Sequence, residues 1–309
     1  MAIRTLVSIN LTDRRPQIFA SKSDGTISTL WKVSTDPDSA WTPWQPLSGV
    51  TPRTMMVGAG TLSNGANQLF GLADMPGPPG PEAVTAWKVS NDPNAQWSDW
   101  VGLGYFGARH IAAGSLEDGR MQFFVIQDGV KTQWKLTTNP ASGFSDVQDM
   151  TPTGGLLTPM SLTVFRLSDG RLQLIGPVSG AGLITTWKEN LNPNAAWMPW
   201  QVFPNTPQTN SSIGVAWAPL TDQRPQLWSY NRFGDVQSCW KVSTNPNDAW
   251  TTWQPFPGTP GNIIALTAVP LQDGRPQLFA SDGQSMFTTW KATVDPNAAW
   301  VPWQPFAAP

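Results

Sequence analysis

Between Asn262 and Leu271 the chain reads NIIALTAVPL, an apolar, β-branched run that fits an inner strand packed on both faces. Gln272 to Arg275 follows as a tight turn in which Asp-Gly supplies the positive φ a hairpin needs. PQLFAS (Pro276 to Ser281) predicts a second strand, Asp282-Gly283 a second turn, and MFTTWKATV (Met286 to Val294) a third strand. Asp295-Pro296-Asn297 turns the chain again, because Pro presets φ and the flanking Asx side chains can bond local backbone. AWVPWQPF (Ala299 to Phe306) predicts a fourth strand. Its two prolines cannot donate to a ladder, so it must lie at an outer edge.

This succession is written six times. Its shared Trp-Lys pair falls at Trp31, Trp87, Trp134, Trp187, Trp240 and Trp290, with spacings between 47 and 56 residues. A β-rich unit of that length cannot bury its apolar face alone, and repeated in tandem it reads as one propeller blade. The expected fold is therefore all-β: a six-bladed β-propeller with four antiparallel strands per blade, forming one domain over residues 1–309. The blades run approximately over 1–49, 50–104, 105–152, 153–205, 206–258 and 259–309. The chain begins at a first strand, LVSINL (Leu6 to Leu11), and ends with a fourth, so each repeat is expected to be a complete blade and the ring to close by packing alone.

Charged residues make up only 13 % of the chain and no Lys/Arg run appears, which argues against nucleic-acid binding. The single cysteine, Cys239, excludes an internal disulfide and a cysteine zinc site. The start MAIRTLVSIN lacks the apolar stretch of a secretory signal, and no segment reaches membrane-spanning length. The expectation is a soluble protein made in the cytoplasm without a Sec signal, inserting into no membrane and released, if at all, by a non-classical route. The 30 Pro and 27 Gly sit at fixed places between apolar runs, where they punctuate turns.

Gln17, Gln68, Gln122, Gln173, Gln226 and Gln277 occupy one position in all six repeats, and Arg15, Arg120, Arg171, Arg224 and Arg275 lie two residues earlier in five. Asp13, Asp118, Asp169, Asp222 and Asp273 precede those by two, while the second repeat has Asn64 and Ala66 instead. The plain reading of the Asp and Arg is hairpin closure with a local ion pair tying neighbouring blades. The plain reading of the lysine after each Trp is a stem covering apolar surface with its head in water or on an Asp.

At these residues the chain resembles the PLL family of bacterial propeller lectins, in Asp169-Gly170-Arg171, Gln173, Trp187 and Trp197-Met198-Pro199-Trp200, with the register kept over all six repeats. The resemblance implies sugar pockets between consecutive blades, of a kind that in those seven-bladed lectins takes fucose-type sugars. The chain departs from the family pattern in three ways. Gln stands in place of a second-strand Glu. The family's first tryptophan and histidine of strand three are missing, with Ser28, Val84, Lys131, Ile184, Gln237 and Phe287 three before each Trp-Lys. The loop is Asx-Pro-Asx.

Sixteen of the 18 Trp lie in the repeated segment. Those on strand three, kept even in the weakest repeat, are expected to be core. The fourth-strand pairs, such as Trp41 and Trp44, are three apart, and a period of two sends them to opposite faces. One indole per blade is thus expected to stay open for a pyranose ring: Trp41, Trp97, Trp197, Trp250 and Trp300, aided by the turn residues Asp36, Asp92, Asn192, Asn245 and Asp295. Packing between blades is the competing role for the same side chains. Repeat three has Phe144 and Val147 in place of both tryptophans, so about five working sites are expected.

Catalysis finds little support. Tyr105, Tyr230 and His110 sit in no recognisable motif, and His110 reads as a strand-end histidine. The one clear insertion, ADMPGPPGPEA (Ala73 to Ala83), reads as a projecting loop. No cofactor or metal is implied. The sequence reads as a multivalent carbohydrate-binding lectin, not an enzyme, whose partners are glycans of glycoproteins or glycolipids on cell surfaces. A protein-interaction propeller scaffold is the alternative.

Overall fold

The computed structural model describes residues 2–47, 53–74, 80–90, 92, 94–180, 182–205, 212–231 and 233–309. The first blade is β1 (Ile3–Asn10), β2 (Pro16–Lys22), β3 (Ile27–Trp31) and β4 (Gln45–Pro46), and the second is β5 (Arg53–Thr61), β6 (Asn67–Asp74), β7 (Glu82–Trp87) and β8 (Val101–Phe106). The third holds β9 (His110–Ser115), β10 (Met121–Ile126), β11 (Val130–Trp134) and β12 (Gln148–Asp149), and the fourth β13 (Thr163–Arg166), β14 (Leu172–Val178), β15 (Gly182–Trp187) and β16 (Gln201–Val202). The fifth holds β17 (Ser212–Pro219), β18 (Pro225–Asn231), β19 (Val236–Trp240) and β20 (Gln254–Pro255), and the sixth β21 (Ala265–Pro270), β22 (Pro276–Ser281), β23 (Met286–Trp290) and β24 (Gln304–Phe306).

Each blade is a separate four-stranded antiparallel sheet made from consecutive strands. The first strands β1, β5, β9, β13, β17 and β21 touch in cyclic order, β21 meeting β1. The fold is a six-bladed β-propeller, and no sheet borrows a strand from the other terminus. No helix occurs among the described residues, so none is long and apolar enough to cross a membrane. Residues 75–79 of the insertion expected as a projecting loop lie outside the described residues, and its ends belong to β6 and β7.

The hairpin between first and second strands has positive φ at one shared position in every blade. Gly65, Gly119, Gly170 and Gly274 supply it in four, while Arg14 (φ 67°) and Gln223 (φ 69°) adopt it at a steric cost. Fourth strands are shorter than the sequence suggests. The edge ladder begins only at Gln45, Gln148, Gln201, Gln254 and Gln304, and each earlier aromatic makes a single bridge to the lysine of strand three, as Trp41 does to Lys32.

The core is six clusters, one in each seam between neighbouring blades. In the seam between blades one and two, Phe19, Ile9 and Leu47 meet Val57, Leu69 and Trp97; in that between four and five, Phe165, Ile175 and Phe203 meet Val215, Leu227 and Trp250. Burying both faces of every sheet in this way removes the usual contrast between a core face and a solvent face.

Candidate functional site

Where strand three ends, Trp187 of blade four faces the Asx-Pro loop of blade five across a cleft of about 270 Å³. Gln173, Thr185 and Trp187 line it from one blade, and Lys241, Asn247 and Trp250 from the other. Gln173 Nε2 donates to Thr185 Oγ1 (2.8 Å), which donates in turn to the Leu174 carbonyl (2.7 Å), so the polar floor is held rigidly on β14 and β15. The same Gln-to-Thr bond recurs at Gln17–Thr29, Gln68–Thr85, Gln122–Thr132 and Gln277–Thr288. In Gln17, Gln68, Gln122, Gln226 and Gln277 the other end of the amide, Oε1, is buried with no hydrogen-bond partner. Leaving an acceptor unpaired and buried costs about 1–3 kcal/mol.

The lysine after each strand-three Trp organises the far wall. Lys241 Nζ donates to the carbonyls of Pro246 (2.9 Å) and Asp248 (2.6 Å), and Lys32 bonds those of Pro37 (2.8 Å) and Ser39 (2.7 Å) in the same way. Lys241 Nζ also lies 5.0 Å from the centroid of Trp250, a cation–π contact. These heads are buried against loop carbonyls and aromatic rings, where water or an aspartate was expected. Burial is the main reason that the ammoniums of Lys88, Lys135, Lys188 and Lys241 are all moved down to about 8.

The Asp-Arg pairs also work differently from the sequence reading. Arg171 Nε meets Asp169 Oδ2 at 2.6 Å and its Nη1 donates to the Lys188 carbonyl of the same blade, so the pair braces the hairpin against its own third strand. Only Nη2 crosses a seam, from Arg171 to Asn247 and from Arg275 to Asp38, both at 3.3 Å.

Burial does not separate the two sets of tryptophans: Trp41, Trp197 and Trp300 are partly exposed, as most strand-three tryptophans are. Trp41, Trp97, Trp197, Trp250 and Trp300 all lie edge-on to an aromatic ring of the preceding blade, with interplanar angles of 82–89°. Trp97 and Trp250 are only 8 % and 7 % exposed. On strand three, Trp134 alone is buried; Trp31, Trp87, Trp187, Trp240 and Trp290 remain partly exposed. The turn residues Asp36, Asp92, Asn192, Asn245 and Asp295 each accept the backbone N–H two residues on, at 2.8–3.1 Å, which makes them turn formers at exposed tips. The cleft is lined instead by the third residue of the motif, Asn247. The sequence reading placed pockets between consecutive blades but drew each pocket's residues from a single repeat, and so missed Asn247.

The seam between blades two and three differs from the others on both sides. Ala66 stands where other blades have Arg, and Ala141 and Phe144 stand where others have Asx and Trp. Tyr105, on the extended β8, is buried in this seam beside Phe123 (5.9 Å) and donates to Gln133 Oε1 (2.8 Å).

A second, central cavity of about 840 Å³ runs between the first strands and is lined among others by His110, Trp217 and Tyr230. Ser8 Oγ bonds the Ala268 carbonyl (2.8 Å) and Ser161 Oγ that of Ile213 (3.0 Å), so these hydroxyls serve neighbouring strands. His110, the first residue of β9, accepts the Leu162 N–H at Nδ1 (3.3 Å), and burial lowers it to about 4. Among the described residues no three His, Cys, Asp or Glu side chains group to hold a metal.

No protein-family model matches the chain, and neither does any curated protein. Solved structures do. AofleA from Arthrobotrys oligospora superposes with TM-score 0.66 at 10 % identity, over 100 % of this chain and 88 % of that one. A mutant of the Aleuria aurantia lectin AAL, in complex with Fucα1-6GlcNAc, gives 0.59 at 12 %, over 98 % and 94 %. The NanB sialidase from Streptococcus pneumoniae gives 0.65 at 8 %, over 91 % and 65 %. At such identities the likeness is one of fold.

Proposed function

We propose that the protein is a multivalent carbohydrate-binding lectin that holds sugars in the seams between blades and does not turn them over. The observation that carries this reading is the cleft between Trp187 and Trp250, with an amide-and-hydroxyl floor and a volume below the about 300–1,000 Å³ of sites for drug-sized ligands. A pyranose fits such a place because its C–H face lies on an indole while its hydroxyls need acceptors and donors at the rim. Each site would pair the strand-three Trp of one blade with the loop of the next; Trp41, Trp97, Trp197, Trp250 and Trp300 would form the packed inner wall.

Fucosylated glycans of cell-surface glycoproteins or glycolipids are the first class to examine, given the resemblance of the repeats to propeller lectins and the fucosyl disaccharide bound by the AAL mutant. Linking several weak sites to one glycan-coated surface would raise avidity by roughly 10² to 10⁴. A glycan array followed by calorimetric titration tests the reading. About five sites per chain are expected, with the seam between blades two and three silent, and Trp187→Ala should remove one site. Absence of binding to every glycan would leave the interaction-scaffold reading ahead.

A further inference from the structure

Lys241 is a cation without an ion-pair partner at the wall of a cleft that Asp248 also lines. It is 6 % exposed, and two of its three donors go to the Pro246 and Asp248 carbonyls, which carry partial charge only. Among the described residues no carboxylate lies within ion-pair distance of Lys135, Lys188 or Lys241. The acids nearby are already engaged. Asp248 accepts from the Ser243 hydroxyl at Oδ2 and from Asn245 Nδ2 (2.9 Å), and Asp169 is clasped by Arg171. A buried charge without a counter-ion is costly, and a ligand that brings the counter-ion recovers that cost on binding.

We infer that the seam cleft favours a sugar bearing a carboxylate, a hexuronate, over a neutral one, with its carboxylate beside the Lys241 ammonium and its ring between Trp187 and Trp250. This rests on the lectin reading of the same cleft and narrows its ligand class. One ammonium donor remains for the carboxylate. The ring C–H face and hydroxyls use the indoles, Gln173 and Asn247, as a neutral sugar would.

The pH dependence follows. Lys241 loses its proton near pH 8 because burial outweighs its neighbours: Asp248 in its own loop and Asp169 across the seam raise it, Arg171 lowers it, and the Cys239 thiol on its own strand raises it slightly. A hexuronate keeps its charge throughout this range, so its advantage should fade as the lysine is neutralised.

The test is calorimetric titration of the full chain, at constant ionic strength, with methyl galacturonoside, the methyl ester of the same sugar, and methyl fucoside. At about pH 6.5 the acid should bind roughly tenfold or more tighter than its ester, a gap of about 1.4 kcal/mol. By about pH 9.5 the two should be nearly equal. Lys241→Met should remove about one acid-selective site while the others report an intact ring. An ester equal to the acid at pH 6.5, or a gap unchanged at pH 9.5, overturns the inference and leaves the lectin reading standing; no binding of any of the three sugars, or of any glycan on an array, overturns both. A parallel titration with methyl sialoside separates the two sources of a sugar carboxylate. Binding of the sialoside with none of the hexuronate overturns the assignment to hexuronates.

Discussion

Trp97 and Trp187 are the same side chain in neighbouring strands of a repeated unit, yet one is sealed in a seam and the other forms the lip of a cleft. The alternation rule could not separate them, because both faces of a blade are covered by its neighbours and alternation names a face without saying how deep it lies. Depth is set by distance from the axis and by which loop folds over the residue. Trp97 lies edge-on to Phe19 at 5.7 Å, so Trp97→Ala opens a void in a packed cluster and should cost about 3–5 kcal/mol, read as a large fall in the denaturant midpoint. Trp187→Ala should cost clearly less; equal losses for the two would contradict the burial pattern. Backbone strain gives a prediction of opposite sign. Gln223 holds φ 69° where four other blades place glycine, so Gln223→Gly relieves a strain of about 1 kcal/mol or more against the extra chain entropy of glycine. A rise in stability of roughly 0.5 kcal/mol is expected from chemical denaturation, and a fall would mean that the Gln223 side chain contributes more than its backbone costs.

Within one blade, the element that needs explaining is the long connection from strand three to the outer edge. It has no ladder of its own beyond one bridge, and the lysine head, by bonding two of its carbonyls, fixes it to the sheet. Burial of that head has a measurable consequence. Lys88, Lys135, Lys188 and Lys241 titrate near 8 in the folded chain, against 10.5 for an ordinary lysine, so between those values the unfolded chain binds more protons. Stability must therefore rise with pH across that window. Tyr105 and Tyr230 act in the opposite direction. Burial raises both to about 12, so their contribution is complete below about pH 10 and is lost as pH climbs toward 12. The melting temperature should climb from about pH 8 to about pH 10 and turn down by about pH 11–12. A flat or falling profile between pH 8 and 10 would show that the lysine heads are solvated. Much of the blade was legible: Pro276–Ser281 is bounded in the structure as the turn residues bound it in the sequence, and the prolines of the fourth strand do mark an edge. The fourth strand itself was read too long, since its alternating apolar residues answer to seam packing and not to ladder pairing. The lysine clamp left no mark, because its acceptors are backbone carbonyls, which every residue has.

Around the whole ring, each repeat is finished as a sheet but not as a core, and the six clusters exist only between blades. The last seam is built like the others although its partners lie at opposite ends of the chain. Trp41 lies edge-on to Phe279 at 5.3 Å, Trp44 Nε1 donates to the Ala307 carbonyl (2.7 Å), and the Ile3 N–H donates to the Gly283 carbonyl (2.8 Å). A linear stack of repeats loses one interface when a terminal unit is removed. A closed ring of six loses two, and the remaining five blades are left with two unpaired apolar faces, that of Trp228 and Phe256 on blade five, which held Leu278 and Trp300, and that of Ile18 and Trp41 on blade one, which held Phe279. Removing residues 259–309 should therefore cost far more than one-sixth of the stability. The full chain should melt in one cooperative transition, while the five-repeat chain should show no sharp transition and should bind hydrophobic dyes or associate. If it instead melted cooperatively close to the full-length midpoint, the blades would be stable one by one and closure would contribute little. On the lectin reading, the same closure would also serve the seams as sites: neighbours that must touch for the ring to exist can part slightly at their outer loops, and a cleft there would sit on a frame that its own ligand does not have to order.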